Sequence, residues 1–151
     1  MTVVQQPGLP MDRRPHLAAM RLEHLGIAVA DLADARELYN RLLGAEPYKE
    51  ETVGEQGVTT LFYRAGESKI ELLEATHADS PIAKYIARRG EGIHHVAFEV
   101  ADIRAEMARL RAEGFRLLQD EPTVGADDKW VCFVHPKSAG GVLVELCQSR
   151  S

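Results

Sequence analysis

The chain writes one pattern twice. Gly92-Ile-His-His-Val-Ala-Phe-Glu-Val100 lies over Leu22-Glu-His-Leu-Gly-Ile-Ala-Val29 so that His24 falls on His95, Val29 on Val100, Asp31 on Asp102 and Leu32 on Ile103, all at one offset of 71 residues. Each copy runs on into a helix-like segment closed by glycine, Gly44 in the first and Gly114 in the second. Each half also ends in an apolar strand pattern with one embedded carboxylate, Ile70-Glu71-Leu72 and then Val144-Glu145-Leu146. Such a repeat restricts the chain to folds built from two similar units, and it delivers two histidines and two glutamates to matching places.

Within 22–29, alternation puts Leu22, His24, Gly26 and Ala28 on one face and Leu25, Ile27 and Val29 on the other. Asp31 is placed to cap a helix whose apolar stripe is Leu32, Ala35, Leu38, Tyr39, Leu42 and Leu43 before Gly44 ends it. Strands follow at about 45–53, 57–64 and 68–74, with Gly54 and Gly66 turning between them. Ser80 as cap and Pro81 as first helical residue open a linking helix at about 80–90 that ends on Arg88, Arg89 and Gly90. The pattern then restarts with strand 93–100, a helix from Asp102 to Glu113 with Ile103, Met107 and Leu110 inward, and strands near 115–119, 129–135 and 141–148. The fold class read from this is α+β, two tandem βαβββ modules at about 21–76 and 92–148 inside a single domain 21–148.

A chain of 151 residues that is 45% hydrophobic suits one shared core. A formal charge of −5 with no basic block argues against nucleic acid or an anionic membrane as partner. No run approaches the roughly 20 apolar residues of a membrane span. Cys132 and Cys147 lie in apolar strand patterns and read as reduced, buried thiols, which together with the missing apolar leader points to the cytoplasm. Residues 1–20, with Pro7, Gly8, Pro10 and Pro15 and no apolar period, read as a disordered N-terminal arm.

Burying one carboxylate in a strand such as Val142-Leu-Val-Glu-Leu146 costs several kcal/mol unless it is paired or bound to metal. Two such costs at matching places need a common cause, and His24 and His95 stand on matching strands to share it. Two His and two Glu are unlike the closed Cys and His tetrahedron of structural zinc and suit a harder divalent ion with open positions, such as cobalt, manganese, iron, nickel or magnesium. Two open positions accept a substrate with two oxygens in a 1,3 relation, whose carbonyl is then polarised for loss of a neighbouring proton. His94 has the opposite parity to His95 and is expected to face away from the site. The loop 135–141 offers Lys137 and free backbone amides to an anion.

Five stretches then come in order over about 22–148: Glu55-Gln-Gly-Val58, Ile70-Glu-Leu-Leu-Glu74, Asp79-Ser-Pro-Ile-Ala-Lys84, Gly90-Glu-Gly-Ile-His-His-Val-Ala-Phe-Glu-Val100 and His135-Pro-Lys-Ser-Ala-Gly-Gly-Val-Leu-Val-Glu-Leu146. On these the chain resembles the vicinal oxygen chelate superfamily (glyoxalase, bleomycin resistance, dioxygenase) and, within it, the methylmalonyl-CoA epimerases. The resemblance implies modules curled into cupped mixed sheets around a metal cleft, a homodimer, methylmalonyl-CoA as substrate and a role in propionate metabolism. It implies cobalt(II) as the metal, with manganese, nickel, magnesium or zinc as alternatives. It makes His24, Glu71, His95 and Glu145 the metal ligands, Glu145 the first candidate for an acid–base group and Glu71 a weaker one, and Lys137, Ser138, Gly140 and Gly141 substrate contacts. Some members carry Gln where this chain has Glu71, and some carry a glutamate, proposed as catalytic base, where this chain has Thr60. The alternatives are a glyoxalase I-like isomerase of a glutathione hemithioacetal, an extradiol dioxygenase with two His and one carboxylate on iron, and a metal-free drug-binding module of the bleomycin-resistance kind.

Overall fold

The computed structural model describes residues 20–151; the arm expected at 1–20 lies outside the described residues except for Met20. In chain order the elements are β1 (Arg21–Ala28), α1 (Leu32–Leu43), β2 (Lys49–Val53), β3 (Val58–Ala65), β4 (Ser68–Ala75), α2 (Pro81–Arg89), β5 (Gly92–Glu99), α3 (Ile103–Ala112), β6 (Thr123–Gly125), β7 (Lys129–Val134) and β8 (Val144–Ser149). Single 3-10 turns at Gly54–Gln56, Ala126–Asp128 and Pro136–Ala139 punctuate them. Among the described residues, no helix is long and apolar enough to cross a membrane.

The eight strands make one curved mixed sheet in the order β2-β3-β4-β1-β5-β8-β7-β6. β1 and β5 pair antiparallel at the seam, and each is flanked by the last strand of its own half running parallel to it, β4 beside β1 and β8 beside β5. The repeat therefore becomes two βαβββ halves related by a near two-fold across the seam.

The helix signals act as written. The Asp31 carboxylate accepts from the Asp34 amide and Gly44 closes α1 at φ 67°. Ser80 accepts from the Ile82 amide with Pro81 at the first helical position, and Asp102 accepts from the Ala105 amide. Helix α1 packs through Leu32 and Ala35 onto Leu61, Tyr63 and Leu72; α3 packs through Ile103, Met107 and Leu110 onto Cys132, Val134 and Leu146. Helices α1 and α3 thus cover one face of the sheet, which frees the other for a cleft.

Two expectations need correction. The α1 stripe is buried only at its start, since Leu38, Leu42 and Leu43 are 51%, 69% and 39% exposed; the helix meets the sheet along its first turns and its last turn runs past it. The strand expected near 115–119 is a single bridge, Leu117 to Val134, held by backbone hydrogen bonds from Leu118 to Phe133 and from His135 to Arg116. Phe115 and Leu117 alternate because they pack on the α3 core. The ladder along β7 breaks after Leu118, where the Phe133 amide donates to the Gln119 side-chain oxygen, and resumes as β6 with Thr123 opposite Val131.

Candidate metal centre

The inner face of the sheet encloses a cavity of about 490 Å³ lined from both halves, by Thr60 and Glu71 from the first and Phe133 and Glu145 from the second among others. His24, Glu71, His95 and Glu145 are all buried there. His24 Nε2 lies 2.8 Å from His95 Nε2 and 3.3 Å from Glu145 Oε2, and His95 Nε2 is 4.0 Å from Glu145 Oε1. Glu71 stands on the other side of the His24 ring, its Oε2 2.9 Å from Nδ1. With Glu23 the four residues form two sets that share His24, the ligand atoms within each set lying within 4.8 Å of one another: His24, His95 and Glu145 at one ring nitrogen, and Glu23, His24 and Glu71 at the other.

Glu23 enters because β1 is bulged. Leu22 pairs with Phe98 and His24 with Ala97, so Glu23 has no partner; on the other strand Gly26 pairs with His95 and Ile27 with Ile93, so His94 has none. A bulge turns two successive side chains to one side of a strand. Both Glu23 and His94 accordingly line the cavity, and the expectation that His94 faces away is overturned.

Charge in the site is unevenly compensated. Glu23, 1% exposed, is paired to Lys69 Nζ at 2.7 Å, and Lys69 reaches on to Asp127 Oδ2 at 2.5 Å. Burial opposes ionisation of Glu23, but His24 and Lys69 outweigh it and hold the carboxyl down at about 2. Burial alone would lower the His24 imidazole; the carboxylates of Glu23 and Glu71, then Glu145, raise it instead to about 10. Yet His24 Nδ1 has no aligned hydrogen bond, nor has Glu23 Oε2, so the attraction there is ionic. Burial pushes Glu145 up to about 7 against the pull of His24, and it drives His95 well below the usual imidazole range, helped by His24 and His94. Among the described residues, no lysine or arginine forms an ion pair with Glu71 or Glu145. Two buried imidazoles, two carboxylates without a lysine or arginine partner and two orphaned polar atoms form a donor set that fits a divalent cation.

Residues 23–133 match the Glyoxalase/Bleomycin resistance protein/Dioxygenase superfamily. The chain belongs to this superfamily. It is similar to the ethylmalonyl-CoA/methylmalonyl-CoA epimerase of Cereibacter sphaeroides, 44% identical over 130 residues that cover 85% of this chain and 97% of that protein. Its fold is similar to methylmalonyl-CoA epimerase from Mycobacterium tuberculosis, with a TM-score of 0.82 at 38% identity over 86% of this chain and 88% of that one. A methylmalonyl-CoA epimerase in complex with methylmalonyl-CoA and NH4+ superposes with a TM-score of 0.81 at 40% identity, over 88% and 96% of the two chains.

The matched superfamily segment contains His24, Glu71 and His95 and ends before Glu145. Glu145 reaches the site through the parallel pairing of β8 with β5, which sets it opposite Ala97. Thr60 is buried on the cavity wall and carries no proton acceptor for carbon acid chemistry. The His95 ring takes the space in front of Gly26, while Ala28 and Ala97 pack in apolar clusters. Lys137, Ser138, Gly140 and Gly141 are not among the cavity-lining residues. The amides of Gly140 and Gly141 both donate to the Pro136 carbonyl, and the Ser138 hydroxyl accepts from the Arg116 amide. Glu23 escaped the sequence reading because strict alternation points it outward. The signal was present, since Glu23 and His94 occupy the same repeat position and each sets a second polar residue beside a histidine in an apolar strand.

Proposed function

We propose that His24, His95 and Glu145 hold one divalent cation, with Glu71, which stands at the other ring nitrogen of His24, turning toward them as its fourth ligand; cobalt(II) comes first and manganese, nickel, magnesium or zinc are the alternatives, and Glu145 is one of two acid–base groups. The chain is an isomerase that interconverts (R)- and (S)-methylmalonyl-CoA. What carries the reading is the buried His24–His95–Glu145 cluster at the cavity wall of a chain 44% identical to an ethylmalonyl-CoA/methylmalonyl-CoA epimerase along nearly that protein's whole length. That likeness sets aside the glyoxalase I-like, dioxygenase and drug-binding alternatives.

The ion, when bound, supplies positive charge for the oxygen anion that develops as the C2 proton leaves. The protein supplies the rest. Glu145, buried at the cavity wall beside both histidines, is placed to take and return the proton. Inversion needs a second group on the opposite face; threonine at position 60 cannot serve, and Glu71, across the His24 ring from Glu145, is the weaker candidate for it. Val58, Leu73, Val131 and Phe133 line the cavity and keep water from the reacting carbon. Lys137 and its neighbours, outside that lining, are left with the outer part of a CoA-sized substrate. The same reading makes the protein a cytoplasmic homodimer of propionate metabolism; light scattering at micromolar concentration checks the dimer.

Metal content and turnover of two variants test the assignment together. His95→Ala should lose the ion. Glu145→Gln keeps a ligating oxygen and should keep the ion while epimerisation falls by about 10²- to 10⁴-fold, the usual worth of a positioned acid–base group. Full metal content in His95→Ala, or near-parental turnover in Glu145→Gln, would remove the corresponding role.

A further inference from the structure

Each histidine of the proposed centre follows a residue that a bulge turns into the cleft, Glu23 before His24 and His94 before His95. An imidazole that binds metal through one nitrogen must carry its hydrogen on the other, and the partner of that other nitrogen decides which way round the ring sits. His95 Nε2 faces His24 Nε2 and Glu145, while His95 Nδ1 lies 2.9 Å from His94 Nδ1. Two bare lone pairs do not sit at that distance, so one Nδ1 carries the hydrogen. If it is on His95, its Nε2 presents a lone pair to the centre; if it is on His94, a neutral His95 presents an N–H there and cannot bind.

We infer that His94 is the positioning residue for His95: its Nδ1 accepts the His95 Nδ1 hydrogen and so fixes the metal-binding tautomer. The inference deepens the metal-centre reading and rests on it. His94 is itself held for the task. Tyr85 from α2 meets its ring edge to face with centroids 4.8 Å apart, and the Tyr85 hydroxyl donates to the Ile93 carbonyl at 2.7 Å, pinning the backbone beside the bulge. On the other side Gly26 lets the His95 ring lie against the bare β1 backbone. Glu23 holds the equivalent place in the first half, its Oε1 3.5 Å from His24 Nδ1. The repeat therefore gives its two histidines unequal backing, the Glu23 carboxylate behind His24 and the His94 imidazole behind His95, and makes them different donors.

The experiment compares the parent with His94→Phe and His94→Asn. Phenylalanine keeps a ring beside Tyr85 and removes the acceptor; asparagine sets an amide oxygen near the place of Nδ1. Chelator-competition titration with zinc and cobalt(II) should give a dissociation constant weaker by about 10- to 100-fold for His94→Phe and close to parental for His94→Asn, the span usual for partners of metal-bound histidines. The visible absorption of the cobalt form should shift in the first variant and be restored in the second. In the zinc-loaded parent, nitrogen-15 spectroscopy should show coupling between the two Nδ1 atoms with the hydrogen on His95, a reading that needs no variant to fold. Parental affinity in His94→Phe, or the hydrogen found on His94 Nδ1, overturns the inference and leaves the metal centre standing. A parent that binds neither ion overturns both.

Discussion

Gly26 faces His95 across the β1–β5 seam, and a Cβ built on it would stand 2.1 Å from His95 Cε1 and within 2.7 Å of both ring nitrogens. Its φ is an ordinary one for any residue, so the glycine is there for space. Gly26→Ala should displace the His95 ring, reduce bound metal and cost about 1–3 kcal/mol, as overpacking does. Metal content and thermal midpoint check it; an alanine variant with full metal would show that the ring has room to move.

The metal-free chain should lose stability as pH rises above neutral. The folded His24 imidazole is raised to about 10 from 6.5, so its contribution is complete below 6.5 and is lost as pH climbs through 10. Glu145, raised to about 7 from 4.5, costs stability between those two values and adds no further slope above 7. The raised Cys147 thiol acts in the same direction above 9. Urea midpoints at pH 7.5 and 9.5 check this, with the lower value expected at 9.5; a rise would contradict the electrostatics described for the site.

Metal binding should strengthen over that same interval, because His24 must give up its proton to serve as a ligand. A weakly buffered titration of the metal-free chain at pH 7.5 with cobalt(II) should release protons. Release of none would mean that His24 is already neutral.

The repeat, the elements around it and the four converging residues were legible because hydrophobic period, caps and embedded carboxylates are local signals. Asp31, Ser80 and Asp102 announce their helices within four residues. What local pattern could not carry is the extra residue in each central strand: parity holds only without a bulge, so His94 was turned outward and Glu23 passed over. Nor could it show that Phe115 and Leu117 alternate for the sake of the α3 core rather than for a strand, or that the loop after β6 reaches the opposite half.

That loop yields a further prediction. Asp127 sits at φ 58° and binds Lys49 at 3.1 Å and Lys69 at 2.5 Å, while its amide donates to Glu51 Oε1 at 3.2 Å. Through Lys69 it joins the second half to Glu23 beside His24. Asp127→Ala removes both pairs from a partly buried network and leaves a β-carbon at a left-handed position, so it should cost about 1.5–3 kcal/mol. Asp127→Gly, which relieves the backbone but not the charge, should recover part of this loss. Equal stability of all three by chemical denaturation would show that the pairs do not join the halves.

The central claim is metal-assisted proton exchange at C2 of methylmalonyl-CoA in the cleft of His24, Glu71, His95 and Glu145. Its most direct test is deuterium uptake at C2 of a single epimer in deuterated water, followed by mass spectrometry with the chelated chain, the cobalt-reconstituted chain and reconstituted His95→Ala. The account predicts uptake and inversion with the reconstituted chain, and neither with the chelated chain or with His95→Ala. Undiminished uptake by the chelated chain, or by His95→Ala without bound metal, would contradict it.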